Sequence, residues 1–231
     1  IFSLGETSAS TATKTLVQLA RKTSTDRWLR AAVLSSSSRA AGSMFTELLY
    51  DAKFVASPGG SEFLSQLITV IGGRNERVQL NDTLSALANC PADTQQLAQQ
   101  LLPTLGKSLQ STGARFEETG RNGASDFLRT AGAKTVSVAM NTALSDSHRQ
   151  NAIEFLSCWP LAETRDSLAE LISGSEPDAV QVAAVESLAT YDDVAVSALL
   201  IARWERMSPV ARQKAIDVLL SRASWIPAVF R

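Results

Sequence analysis

The feature that most constrains this chain is a helical stripe that recurs through its last third. Val180, Ala183, Ala184, Ser187 and Leu188 fall at i, i+3, i+4, i+7 and i+8, one face of an α-helix. Ala211, Ala215, Val218 and Leu219 repeat the stripe, and Ala152, Phe155 and Leu156 give a shorter copy. Aligning Ala152-Ile153-Glu154, Ala184-Val185-Glu186 and Ala215-Ile216-Asp217 gives spacings of 32 and 31 residues. A second set of helices lies between them, around Leu168-Ala169-Glu170-Leu171-Ile172 and Val196-Ser197-Ala198-Leu199-Leu200. The unit is therefore a pair of helices. A single pair cannot bury its apolar face alone, so neighbours must stack.

Punctuation agrees with this division. Ser208-Pro209 reads as a capping serine followed by proline at the first helical position, where the missing N–H costs nothing. Gly174-Ser175-Glu176-Pro177 stops one helix and starts the next in the same manner. Pro160 and Asp192-Asp193 separate neighbours, and Asp93-Thr94-Gln95-Gln96 fits a capping box. In the N-terminal half, Leu16, Leu19 and Ala20 form a stripe and Asp26 caps a helix through Leu34. Further helices are predicted over 39–51, 60–71, 77–89 and 94–111, with a Gly-rich loop from Gly113 to Gly123. No strand-period alternation is sustained. The expected fold is all-α, a HEAT/armadillo-like superhelix of antiparallel helix pairs, with residues 1–231 as one repeat domain.

Composition narrows the function. With 22 basic and 23 acidic residues the net charge is −1, so no global field draws in nucleic acid or anionic lipid. No apolar run approaches the roughly 20 residues needed to span a bilayer, so no direct membrane insertion is expected. The start, Ile1-Phe2-Ser3-Leu4-Gly5-Glu6, has neither the basic end nor the apolar core of a signal peptide, and no initiator Met. A processed protein and a piece excised from a longer chain are both compatible with this start, and the second is the expectation. Cys90 and Cys158 have no metal-binding or CxxC spacing and are expected to act as small core hydrophobes.

Several segments resemble a known family. Asp26-Arg27-Trp28-Leu29-Arg30-Ala31-Ala32-Val33-Leu34-Ser35-Ser36 resembles a stretch of the very large planctomycete-type haem-binding dehydrogenase proteins. Ile71-Gly72-Gly73-Arg74 is similar to a short turn that follows there. Ala189-Thr190-Tyr191-Asp192-Asp193, Arg203-Trp204, Ser208-Pro209 and Leu219-Leu220-Ser221-Arg222 match in the same order. The likeness runs from about Leu16 to Arg222 and is diffuse between residues 90 and 145. It implies a parent in which a dehydrogenase-like β-propeller precedes a HEAT-like region and a cytochrome c domain follows. This chain matches the middle piece alone. It contains no Cys-x-x-Cys-His, and its single histidine, His148, does not follow a cysteine, so haem c is expected only in the parent's C-terminal domain. The resemblance also implies exported, periplasm-like or membrane-associated placement.

No catalytic, cofactor or metal residue is assigned. His148 reads as an exposed residue in the first turn of a helix. Gly120-Arg121-Asn122-Gly123-Ala124-Ser125 matches no phosphate-loop pattern and reads as an inter-repeat loop. Ser35-Ser36-Ser37-Ser38 lacks a nucleophile context and reads as small residues at a helix end. Glu117-Glu118 and Asp192-Asp193 are adjacent pairs whose side chains diverge, as turn and cap residues do. Trp28 and Trp204 lie beside arginines; inter-repeat packing is the first expectation for both. The alternative is an interaction surface made of Trp28, Arg30, Arg203 and Trp204. The function these readings favour is a non-catalytic scaffold that holds neighbouring domains of its own chain or a partner protein. The other reading is a stand-alone adaptor binding a protein or peptide on its concave face.

Overall fold

The computed structural model describes residues 10–116 and 124–229. All regular structure among them is helical, with no strand. The chain forms two compact units, Ile1–Leu128 and Arg129–Arg231, and the division falls inside a helix.

In the first unit, α1 spans Ser10–Thr23, α2 Arg27–Ser36, α3 Ala41–Leu49, α4 Ala52–Val55, α5 Gly60–Arg74, α6 Arg77–Ala88 and α7 Gln95–Gln110. Asp26 starts α2 as expected, its carboxylate accepting from the amides of Trp28 and Leu29. Helices two or three apart in sequence are neighbours in space. The α3 helix packs against α1 and α6, and α5 against α2 and α7. Each helix therefore buries an apolar face between two others. Met44, Phe45, Leu48 and Leu49 of α3 and Phe63, Leu64, Leu67 and Ile68 of α5 are fully buried.

Two local expectations need correction here. Ile71-Gly72-Gly73-Arg74 is not a turn; it is the last turn of α5, which ends at Asn75 in the left-handed conformation. The glycine serves packing instead. A Cβ on Gly72 would come within 2.6 Å of Ser108 Cβ on α7. The close approach lets Ser108 Oγ donate to the Thr69 carbonyl at 2.7 Å. Nor does Asp93 open a capping box: Thr94 is the N-cap of α7, and its hydroxyl donates back to Pro91 O rather than capping.

The helix α8, Ala124–Met140, contains the division. The second unit continues with α9 Asp146–Leu156, α10 Leu161–Leu171, α11 Asp178–Ala189, α12 Val194–Arg203, a 3₁₀ turn Trp204–Arg206, α13 Pro209–Leu220 and α14 Ile226–Val229. Ser208 caps α13 with Pro209 at its first position, and Asp193 caps α12 through the Ala195 amide, both as expected. Pro177 stands one place earlier than expected, at the N-cap of α11. Again alternate helices meet: α11 packs against both α9 and α13. Ala184, Leu188, Ala215 and Leu219, the stripe residues, lie in one buried cluster with Ala152 and Leu156. Small residues at the recurring positions let helix axes approach closely, which is why alanine recurs there.

Candidate functional site

The side chains that do most in the second unit are polar ones at fixed repeat spacing. Arg149 lies in the first turn of α9 and is buried. Its Nε donates to Ala139 O at 2.8 Å, at the end of α8. Its Nη2 lies 2.6 Å from Glu176 Oε2, an ionic contact outside hydrogen-bonding alignment. The equivalent residue of α11 is Gln181, also buried. It donates to Glu176 O at 2.7 Å and accepts from the Ser208 amide at 2.9 Å. The equivalent residue of α13 is Arg212, whose Nε donates to Trp204 O at 3.0 Å. At each of the three places a long side chain from the start of one helix donates to a backbone carbonyl at the end of the preceding helix or in the segment that joins the two.

A second set joins successive helix pairs. Ser187 Oγ donates to Ile153 O at 2.7 Å. Tyr191 Oη donates to Trp159 O at 3.0 Å and shares a 2.9 Å contact with Thr164 Oγ1. One repeat on, Arg222 donates to Tyr191 O at 2.6 Å and Ala189 O at 2.8 Å. Burying a tyrosine hydroxyl demands such partners, because an orphan polar group is costly.

The residues singled out from sequence fall into different classes. Trp28 departs from its expected packing role: it is 78% exposed, with the Arg27 guanidinium carbon 5.7 Å from its ring centre, within cation–π range. Helical geometry explains the contrast with Arg30, which is buried two residues later on the same helix. Arg30 Nη1 donates to Ser24 O at 2.8 Å and Nη2 pairs with Glu62 Oε1 at 2.7 Å. Arg203 and Trp204 are half-buried at the end of α12. Trp204 packs against the apolar cluster, with the Arg212 guanidinium carbon 5.9 Å from its ring centre. The surface formed by Trp28 and Leu29 is the one that faces solvent on α2.

Other candidates have structural explanations. His148 is exposed, with Nδ1 2.8 Å from Ser145 Oγ at the start of α9. Asp192 pairs with Arg222 at 3.0 Å while Asp193 caps, so the two carboxylates do part. Ser37 is buried and its hydroxyl donates to Leu34 O, closing α2. Cys158 is buried, and Cys90 is half-buried with burial pushing its thiol up. Glu117-Glu118 and Gly120–Gly123 lie outside the described residues. Among the described residues no group of three or more His, Cys, Asp or Glu could hold a metal ion, and no helix is long and apolar enough to cross a membrane. An open cleft of about 220 Å³ lies between Arg77, Asn81 and Leu84 of α6 and Phe116. Comparison with protein-family models, with curated proteins and with solved structures finds no match.

Proposed function

We propose that this chain is a non-catalytic helical-repeat scaffold of the HEAT type, a stack of antiparallel helix pairs that positions neighbouring domains or a partner protein. The observation that carries the reading is how the buried polar side chains are used. Arg149, Gln181 and Arg212, and then Tyr191 and Arg222, are spent on backbone groups of neighbouring helices and of the segments that join them. Side chains used in this way hold repeats in register; they do not converge on a substrate. The neighbours are a dehydrogenase-like propeller and a cytochrome c domain of a larger exported redox protein, by the resemblance of Asp26–Ser36 and the later segments. On this reading haem c belongs to the parent's C-terminal domain and this chain carries no cofactor.

Haem titration followed by absorption spectroscopy tests the scaffold. No stoichiometric Soret band is expected, and a saturable band abolished by replacing one residue of this chain would sink the idea. The adaptor reading is favoured by the exposed Trp28-Leu29 pair, since a large aromatic left in water beside an arginine is typical of binding hot spots. Sequencing the gene on both sides separates the two, because a propeller upstream and a Cys-x-x-Cys-His downstream belong to the redox scaffold only.

A further inference from the structure

In the first unit the start of α6 borders an open cleft. The α7 helix gives way to Gly113 at φ 81°, and the Ala114 amide donates back to Leu109 O at 3.2 Å. Past that turn, residues 114–116 face α6 across an opening of about 220 Å³. The α6 residues that line it, Arg77, Leu80, Asn81 and Leu84, fall at i, i+3, i+4 and i+7, a single stripe of the helix. Leu84 and Phe116 are buried and give the cleft an apolar floor. The polar members of the stripe are different. Arg77 is exposed and Asn81 half-buried, and among the described residues neither side chain has a hydrogen-bond or ion-pair partner. The adjacent carboxylate does not neutralise Arg77, because Glu76 accepts from Arg74 at 2.8 Å and from Gln79. Arg115 brings a second guanidinium to the same lining.

We propose that this cleft binds a small organic carboxylate with a compact apolar body. The carboxylate sits on the Arg77 guanidinium and the Asn81 amide, and the body lies against Leu80, Leu84 and Phe116. An apolar floor with a few convergent polar groups at its edge is the usual make-up of a small-molecule site. Charge selects the ligand: the lining carries two guanidinium groups and no carboxylate. The planar fork of arginine matches a carboxylate through two parallel hydrogen bonds. Size narrows it further. The volume lies below the roughly 300 Å³ at which pockets for drug-sized ligands begin, so the body is about one ring or a short acyl chain. The inference goes beyond the scaffold reading and does not depend on it, since the cleft lies within the first unit and α9, α11 and α13 take no part.

The probe is phenylacetate, titrated into the full chain at constant ionic strength and followed by backbone amide shifts. Phenylacetamide is its neutral isostere, and acetate is the anion without the ring. Phenylacetate should give saturable shifts confined to residues 75–84 and 114–116. Phenylacetamide and acetate should each bind about tenfold more weakly, the loss expected for one charge-assisted hydrogen bond or for the buried ring. Arg77→Gln should weaken phenylacetate about tenfold and leave phenylacetamide unchanged. Its unfolding midpoint should match the parent's, because the Arg77 side chain faces water. No saturation by about 10 mM, where even a millimolar Kd shows, overturns the proposal. So does phenylacetamide binding as tightly as phenylacetate, or phenylacetate binding that Arg77→Gln leaves intact. Shifts spread over arginines throughout the chain are non-specific anion association and overturn it as well. None of these failures touches the scaffold reading, which the haem titration tests separately.

Discussion

Replacing Arg149 by methionine should damage the second unit more than any other single polar change. Methionine keeps the length of the side chain and much of its apolar volume, so packing loss is small. Two polar groups then lose their partner: Ala139 O, and the carboxylate of Glu176, whose side chain is 12% exposed. Removing one member of a buried ion pair costs about 3–5 kcal/mol because the other charge stays buried. The residual exposure of Glu176 lets some water reach it and argues for the lower end, about 3 kcal/mol. Urea denaturation followed by circular dichroism measures this directly. The double replacement Arg149→Met with Glu176→Gln should recover part of the loss, because no unpaired charge remains. If the single variant loses less than about 1 kcal/mol, the amount of an ordinary neutral hydrogen bond, Arg149 is not the anchor described. A double variant no more stable than the single one would refute the electrostatic part of the reasoning.

Three further outcomes are expected. Tyr191→Phe should cost about 1–2 kcal/mol in the same denaturation assay, since its hydroxyl reaches Trp159 O and Thr164 and all of these lie in the interior. Gly72→Ala should lower the thermal midpoint, because the added Cβ meets Ser108 at 2.6 Å; Gly73→Ala, with its nearest contact at 3.7 Å, is the matched control. Acid should weaken the first unit through two carboxylates. At Asp51, burial raises the pKa, but the Phe54 amide and the Arg21 guanidinium outweigh it and hold it below 3.8; at Glu76, hydrogen bonds from Arg74 and Gln79 hold it below 4.5. A folded-state pKa below the unfolded one gives stability that is present above the ordinary value and lost as pH falls through the lowered one. Asp51→Asn should therefore destabilise at pH 7 and make little difference near pH 2 in thermal melts.

Much of the second unit was legible from spacing because its helices are of similar length and its stripes are built on alanine. Ala152, Ala184 and Ala215 mark the same buried place on α9, α11 and α13. The first unit shows no such period because α4 interrupts it with one short turn and because α5 and α7 are longer than α3 and α6. The anchoring residues escaped notice although a signal for them exists. Arg149, Gln181 and Arg212 each stand three places before those alanines, a long polar side chain at constant offset. The sequence left Trp28 between two readings for a different reason. Its composition suits packing or binding equally, and only the helix's rotation about its axis, set by Val33 and Leu34 turning inward, decides that it points to water.

The bonds from Tyr191 to Trp159 O and from Arg222 to Tyr191 O form a relay that fastens each helix pair only to the one before it. Damage in such a relay travels by nearest neighbours. Loosening Arg222 exposes the carbonyls of Ala189 and Tyr191 but leaves the Tyr191 hydroxyl seated on Trp159. If the proposed stacking of helix pairs holds, loosening Arg222 should speed amide exchange in α13 more than in α9 and α11.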